Sequence, residues 1–200
     1  LLGKNKSQRY LIFFQNNTEL RPTGGFWGSF AEVDLLDGSI RRVEVPGGGT
    51  YSMQGQLTAN IAAPSPLQLV RGRWELQDAN WFPDFPTSAK KAMWFYEKGG
   101  GPTVDGVIAV NATLASKIID AIGPLTLASG KSVDGENFLF ETQKQVEIAY
   151  DRVENAPKKF IGELFEALLT KLEDTKGESI IKVATILGTG LSTRDIQIYH

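Results

Sequence analysis

Cysteine is absent from the 200 residues, which excludes disulfides and thiolate metal sites. That absence suits an envelope protein as well as a cytosolic one and leaves the compartment open. Histidine is nearly absent too, the one copy being His200 at the last position. Catalysis of the Ser-His-Asp or Cys-His kind needs a positioned imidazole, and a histidine-based zinc site needs several. Chemistry is left to carboxylates, arginines, lysines, hydroxyls, backbone amides, or a hard cation held through oxygen. No run of about 18 apolar residues exists, so nothing here reads as a bilayer-spanning helix, and no secretory signal is visible. Nor is there an excess of positive charge: 21 Lys and Arg against 23 Asp and Glu give a formal net charge of −2. Nucleic-acid binders carry a basic surplus, so that class is set aside. A starting methionine is missing as well, which points to a piece of a longer protein.

What is present is ordinary globular composition, 42% hydrophobic and 22% charged, with 21 glycines gathered mainly in loops. The first half has strand character. Residues 9–15, 27–36 and 39–45 are rich in β-branched and aromatic side chains, and Asp37-Gly38 is a hairpin turn signal between the last two. Residues 51–86 lack a period and read as a long ordered loop. A helix is expected over 87–98, capped by Thr87 or Ser88, then a buried strand over 104–110, a helix over 111–123 capped by Asn111 or Thr113, and a short strand over 124–128. The last third reads as helices: one from Asp134, one with Pro157 in its first turn and an apolar stripe from Phe160 to Leu172, and one over 178–191. A final strand closes the chain. Strands alternating with helices imply an α/β class with a mixed central sheet flanked by helices, its 9–15 and 104–110 strands interior.

Three segments invite a chemical reading. "ELRPTGGFWGSF", residues 19–30, is richer than a hairpin tip requires. Arg21 offers a planar fork suited to phosphate or carboxylate, and Gly24 and Gly25 would let backbone amides approach an anion, with Phe26 and Trp27 shielding it. The plainer alternative is a strand connection in which Arg21 makes a surface ion pair. "DANWFPDFPTSAKK", residues 78–91, sets Asp78, Asn80 and Asp84, oxygen ligands that Mg²⁺ accepts, beside Trp81, Phe82 and Phe85. Asp84 serves equally well as a complement to a helix dipole. "PGGGT", residues 46–50, lacks the Lys-Ser/Thr of a nucleotide-binding loop and is rejected as one.

The order "FQNNTELRPTGGFWGSF", "DANWFPDFPTSAKKAMWFYE", "VDGVIAVNATLASKIIDAIGPLTL" and "RDIQIY" resembles the bacterial domain-of-unknown-function family 4012 over nearly the whole chain. That family in turn looks distantly like the LytR-CpsA-Psr proteins, which transfer glycopolymers from polyprenyl pyrophosphate carriers to the cell wall. The resemblance implies a three-layer α/β architecture and an extracytoplasmic domain anchored to the membrane through a segment outside this chain. It implies a polyprenyl-linked glycan or similar anionic lipid as partner. Arg21 would grip the pyrophosphate with Gly24, Gly25, Trp27 and Asn80 around it. Asp78 and Asp84 would hold Mg²⁺ or act as a base, and the aromatics at 81, 82, 85, 94 and 95 would line a lipid groove. Arg21 and Asp84 would then be the catalytic pair. Where the relatives carry Pro-Arg-Asp after the third strand, this chain reads Pro46-Gly47-Gly48, so a lone arginine is expected at the site. The alternative is a non-catalytic envelope scaffold or interaction domain on the same fold. A deep apolar tunnel ending at Arg21 would favour the carrier; a filled core there would favour the scaffold.

Overall fold

The computed structural model describes residues 3–147 and 158–200. The strand β1 (Gln8–Asn16) has the make-up of a strand covered on both faces, and it lies at the centre of a five-stranded mixed sheet. It pairs antiparallel with β2 (Phe26–Leu36), Phe13 opposite Phe30, and parallel with β4 (Gly106–Asn111), Phe13 opposite Ala109. The strand β3 (Ser39–Glu44) forms one edge. Its exposed Arg41, Arg42 and Glu44 discourage further strand pairing. Asp37 and Gly38 both take positive φ (51° and 77°), the geometry a two-residue hairpin needs. The strand β7 (Ile196–Tyr199) is the other edge, antiparallel to β4. Both strands expected in the interior are there.

Helices cover both faces of the sheet. Alternation along β1 and β4 sends Leu11, Phe13, Val107 and Ala109 to one side, where they pack with Trp27 and Phe30 against α2 (Phe85–Lys98) through its Ala89, Ala92, Phe95 and Tyr96. Burying one such aromatic contributes roughly 2–3 kcal/mol. Val110 faces the other side, meeting α3 (Ala112–Ile122) and α6 (Glu178–Thr193), while Phe14 meets Phe165 of α5 (Lys159–Asp174), ring centroids 5.1 Å apart. Asn111 caps α3 by accepting from the Leu114 amide at 2.8 Å. The helix α4 (Phe138–Glu147) lies beside α3 and α5.

Several expectations need correction. α2 begins at Phe85, with Asp84 as its cap, because Pro86 can occupy the first turn and Asp84 can reach the Thr87 amide. Residues 51–86, read as a long ordered loop, carry short helical elements: the end of a 3₁₀ turn at Gly49–Met53, another at Leu76–Asp78, and the short α1 (Ser65–Gln68). The 124–128 strand shrinks to β5 (Leu125–Thr126), paired with β6 (Ser132–Val133) apart from the main sheet. α4 starts four residues after Asp134, whose side chain instead accepts from the Asn137 amide. The expected first-turn Pro157 and the 148–150 end of the preceding helix lie outside the described residues.

Candidate functional site

The loop between β1 and β2 is tied down from below. Its tip is a turn closed by the Gly24 amide donating to the Arg21 carbonyl at 2.9 Å, with Pro22 at the position that proline favours. Asn80, fully buried, donates from Nδ2 to both Thr23 Oγ1 and the Gly25 carbonyl, each at 2.8 Å. The Thr23 hydroxyl donates a hydrogen bond to Gln15 Oε1, which also accepts from Trp27 Nε1. Gln197 of β7 donates to the Thr23 carbonyl. The 78–80 segment and the Arg21 loop therefore touch, across more than fifty residues of sequence.

That contact assembles a charge cluster. Asp78 is 3% exposed, and two guanidiniums address its carboxylate: Arg21 Nη2 lies 3.9 Å from Oδ1 and Arg71 Nε 3.6 Å from Oδ2. Both distances exceed a hydrogen bond, so charge rather than hydrogen bonding holds the pairs, and Oδ2 has no hydrogen-bond partner among the described residues. Burial pushes the Asp78 pKa up, while Arg71 and Arg21 pull it back down. The arginines are seated on aromatic faces, Arg21 Cζ 4.9 Å from the Phe26 centroid and Arg71 Cζ 5.5 Å from that of Tyr51, with the two rings 6.4 Å apart. Arg71 also donates to the Tyr51 hydroxyl at 3.2 Å. Arg71 corrects the expectation of a lone arginine. It comes from the stretch that showed no period, and "RGR" at 71–73 was the only local hint of it.

Beside this cluster a cavity of ≈ 210 Å³ opens between the sheet and α3, α4 and α5. Its walls are apolar, including Phe14, Ala115, Ile119, Leu164, Phe165 and Leu168. Phe26 also lines it, so the ring that carries Arg21 is part of the cavity wall. Gln15 lines the cavity as well, with its side-chain Oε1 engaged by Thr23 and Trp27.

The other residues singled out from sequence sit differently. Trp27 is wholly buried, stacked on Phe13 at 4.2 Å and edge-on to Phe85, so both belong to the α2-side core. Phe95 is in that core too, and Trp81, Phe82 and Trp94 pack against it. The lipid groove expected from these aromatics is therefore misplaced, since the cavity lies on the opposite face of the sheet. Asp84 is exposed at the α2 start, where bonds from Thr87 hold its carboxyl below the usual range. Gly24 takes φ 111° and gives its amide to the turn, and a Cβ on Gly25 would come within 2.7 Å of the Asn16 carbonyl, so one glycine serves the turn conformation and the other close backbone packing. Asp78 and Asp84, the residues expected to hold Mg²⁺, are each engaged by other side chains. Guanidiniums address both oxygens of the first, Thr87 engages the second, and no trio of acidic or histidine side chains converges among the described residues. Also among the described residues, no helix is long and apolar enough to cross a membrane.

Comparison with curated proteins gives no match. Solved structures do resemble the chain at the level of fold. B. subtilis TagV superposes with a TM-score of 0.56 at 11% identity, covering 96% of this chain and 74% of that one. The protein gbs0355 from Streptococcus agalactiae gives 0.57 at 13%, covering 98% and 69%. A LytR-Csp2A-Psr enzyme from Actinomyces oris gives 0.54 at 12%, covering 96% and 69%. The three-layer α/β architecture is thus that of the LytR-CpsA-Psr proteins. In sequence, residues 5–146 match the model of DUF4012, a family of proteins of unknown function, and the chain belongs to that family.

Proposed function

We propose that this domain binds a polyprenyl phosphate or pyrophosphate carrier, with its linked glycan, at the cell envelope. The observation that carries the reading is the position of Phe26, whose ring lines the apolar cavity and also supports the Arg21 guanidinium. An isoprenoid tail is apolar and flexible, and a cavity walled by Phe14, Phe165 and Leu168 suits it. A pyrophosphate carries its charge at one end of that tail, and two arginines on different loops match it. The likeness in fold to TagV and to the A. oris enzyme supports an envelope setting, with membrane attachment through a segment outside residues 1–200.

The proposal stops at binding. Glycan transfer needs a group to take the acceptor's proton, and Asp78, the carboxylate beside the arginines, is held between them. Mg²⁺ enters only as an ion carried in with the pyrophosphate, and no step depends on it. The test is titration of the purified chain with a fluorescent isoprenyl pyrophosphate. Arg21→Ala and Arg71→Ala should each weaken binding about 10- to 100-fold while costing only about 1 kcal/mol of stability, the loss of one partly exposed ion pair to Asp78. The corresponding isoprenyl alcohol should bind far more weakly to wild type. Unchanged affinity in both arginine variants would return the site to the scaffold reading.

A further inference from the structure

Two loop tips flank the arginine cluster, and both present bare aliphatic side chains. Leu20, next to Arg21, is 88% exposed. Leu69 and Val70, next to Arg71, are 91% and 79% exposed. These three are the most exposed of the large hydrophobic residues among those described. They do not belong to floppy ends. The 63–72 finger is closed at its base by the Ala62–Arg73 bridge and by the Trp74 amide donating to the Ile61 carbonyl at 2.7 Å. Its tip is a turn in which the Val70 and Arg71 amides both donate to the Leu67 carbonyl. The Leu20 loop is held by the Phe26 amide on the Glu19 carbonyl and, further on, by Asn80. Asp78 then draws the arginine beside each tip toward one carboxylate. The two tips are thereby held on the same side of the molecule.

Rigid loops that hold aliphatic side chains in water, each next to a guanidinium, have one common physical use. The aliphatic groups leave water for the acyl boundary of a bilayer while the cations meet its phosphates. Tyr51, 37% exposed beneath Arg71, adds an amphipathic ring of the kind that settles at headgroup depth. The carboxylate next to Leu20, that of Glu19, is engaged by the Asn16 amide at 3.1 Å. A net charge of −2 gives the chain as a whole no attraction for an anionic surface, so any such attraction must come from this patch.

We infer that Leu20, Leu69 and Val70, with Arg21 and Arg71, form a docking surface for an anionic phospholipid bilayer. The inference shares its arginines with the carrier-binding reading, but it is tested on vesicles that contain no polyprenyl compound, so the two stand or fall separately.

The experiment is co-sedimentation of the purified chain with phosphatidylethanolamine vesicles, with and without phosphatidylglycerol, at low and high salt. Wild type should bind the phosphatidylglycerol vesicles, and salt should weaken that binding. The triple variant Leu20→Ser, Leu69→Ser, Val70→Ser should lose about tenfold or more in partitioning. Its melting temperature should hold, because exposed side chains are being changed. Ile181→Ser removes a 66%-exposed apolar side chain on α6 and should leave vesicle binding as it was. Three results would overturn the inference. Wild type could ignore anionic vesicles, or the triple variant could bind them as wild type does. Alternatively, wild type could self-associate through the patch, with the triple variant monomeric and vesicles without effect.

Discussion

Replacing Asp78 by Asn tests how the charge cluster works. The carboxylate is buried and lies 3.9 Å from one guanidinium and 3.6 Å from the other. At an effective dielectric of about 20, each pair is worth about 4 kcal/mol before screening. The arginine side chains are 31% and 33% exposed, which cuts the usable part to about 1 kcal/mol per pair. An incoming pyrophosphate must compete with that attraction. An amide in place of the carboxylate would remove the competitor and keep the shape, so an isoprenyl pyrophosphate diester should bind on the order of 5- to 30-fold more tightly at neutral pH. Calorimetric titration measures the difference.

The pH dependence has a definite sign. Burial raises the Asp78 pKa above its ordinary 3.8. On acidification through that raised value wild-type Asp78 protonates, its affinity climbs, and the gap between wild type and the Asp78→Asn variant closes. Stability follows the same proton. The folded state binds it more tightly than the unfolded chain does, so this group makes stability fall as pH rises from 3.8 through the raised value, with the full penalty at neutral pH. Asp78→Asn should therefore leave the neutral-pH melting temperature unchanged or higher. Weaker binding by this variant would refute the competition argument. Should Mg²⁺ also strengthen binding to wild type but not to the variant, Asp78 would be a metal ligand instead.

Three other substitutions have separate readouts. Ala115→Phe puts a ring into the apolar cavity, so it should abolish isoprenoid binding while the melting temperature holds or rises. Asn80→Ala removes two buried hydrogen bonds from the Arg21 loop and should destabilise by about 2–3 kcal/mol in urea, with faster proteolysis near residues 20–25. Asp84→Ala removes the α2 cap. It should lower the melting temperature at neutral pH, an effect that vanishes as pH falls below the carboxylate range and the wild-type cap protonates, and it should leave ligand and Mg²⁺ titrations unchanged.

Much of the scaffold was legible because its signals are local. The continuous apolar run of β1, the Asp37-Gly38 turn and the Asn111 cap each lie within a few residues of what they determine. The α2 cap was not legible: Thr87 or Ser88 was expected there, although Pro86 and Thr87 stand at first-turn positions after Asp84, because a carboxylate beside aromatics also has the look of a ligand. The site was harder. Arg71 and Arg21 are fifty residues apart, and it is the fold, through the Asp78 carboxylate and the Phe26–Tyr51 ring pair, that brings them together. In sequence the cavity looks like ordinary core. The α5 stripe that includes Leu164, Phe165 and Leu168 is the same whether the helix seats fully on its sheet or leaves a gap. Periodicity says which face turns inward, not how closely that face packs.

The pair Phe26-Trp27 shows why a composition argument can find the right stretch and misassign its parts. Neighbours on a strand point to opposite faces, so these two rings could never have shielded one anion together. The pairing makes this concrete: Trp27 is opposite Gln15 and shares the α2-side core with Phe13, whereas Phe26 is opposite Asn16 and turns to the cavity. The next residue, Gly28, falls where the β1–β2 register shifts between Phe14 and Gln15, and a side chain there would meet the Phe26 ring at 3.1 Å. Gly28 thus keeps open the space in which Phe26 stands, and Phe26 in turn carries Arg21. A loop that looked overbuilt for a hairpin is therefore the place where the sheet assigns one aromatic to the core and its neighbour to the cavity wall.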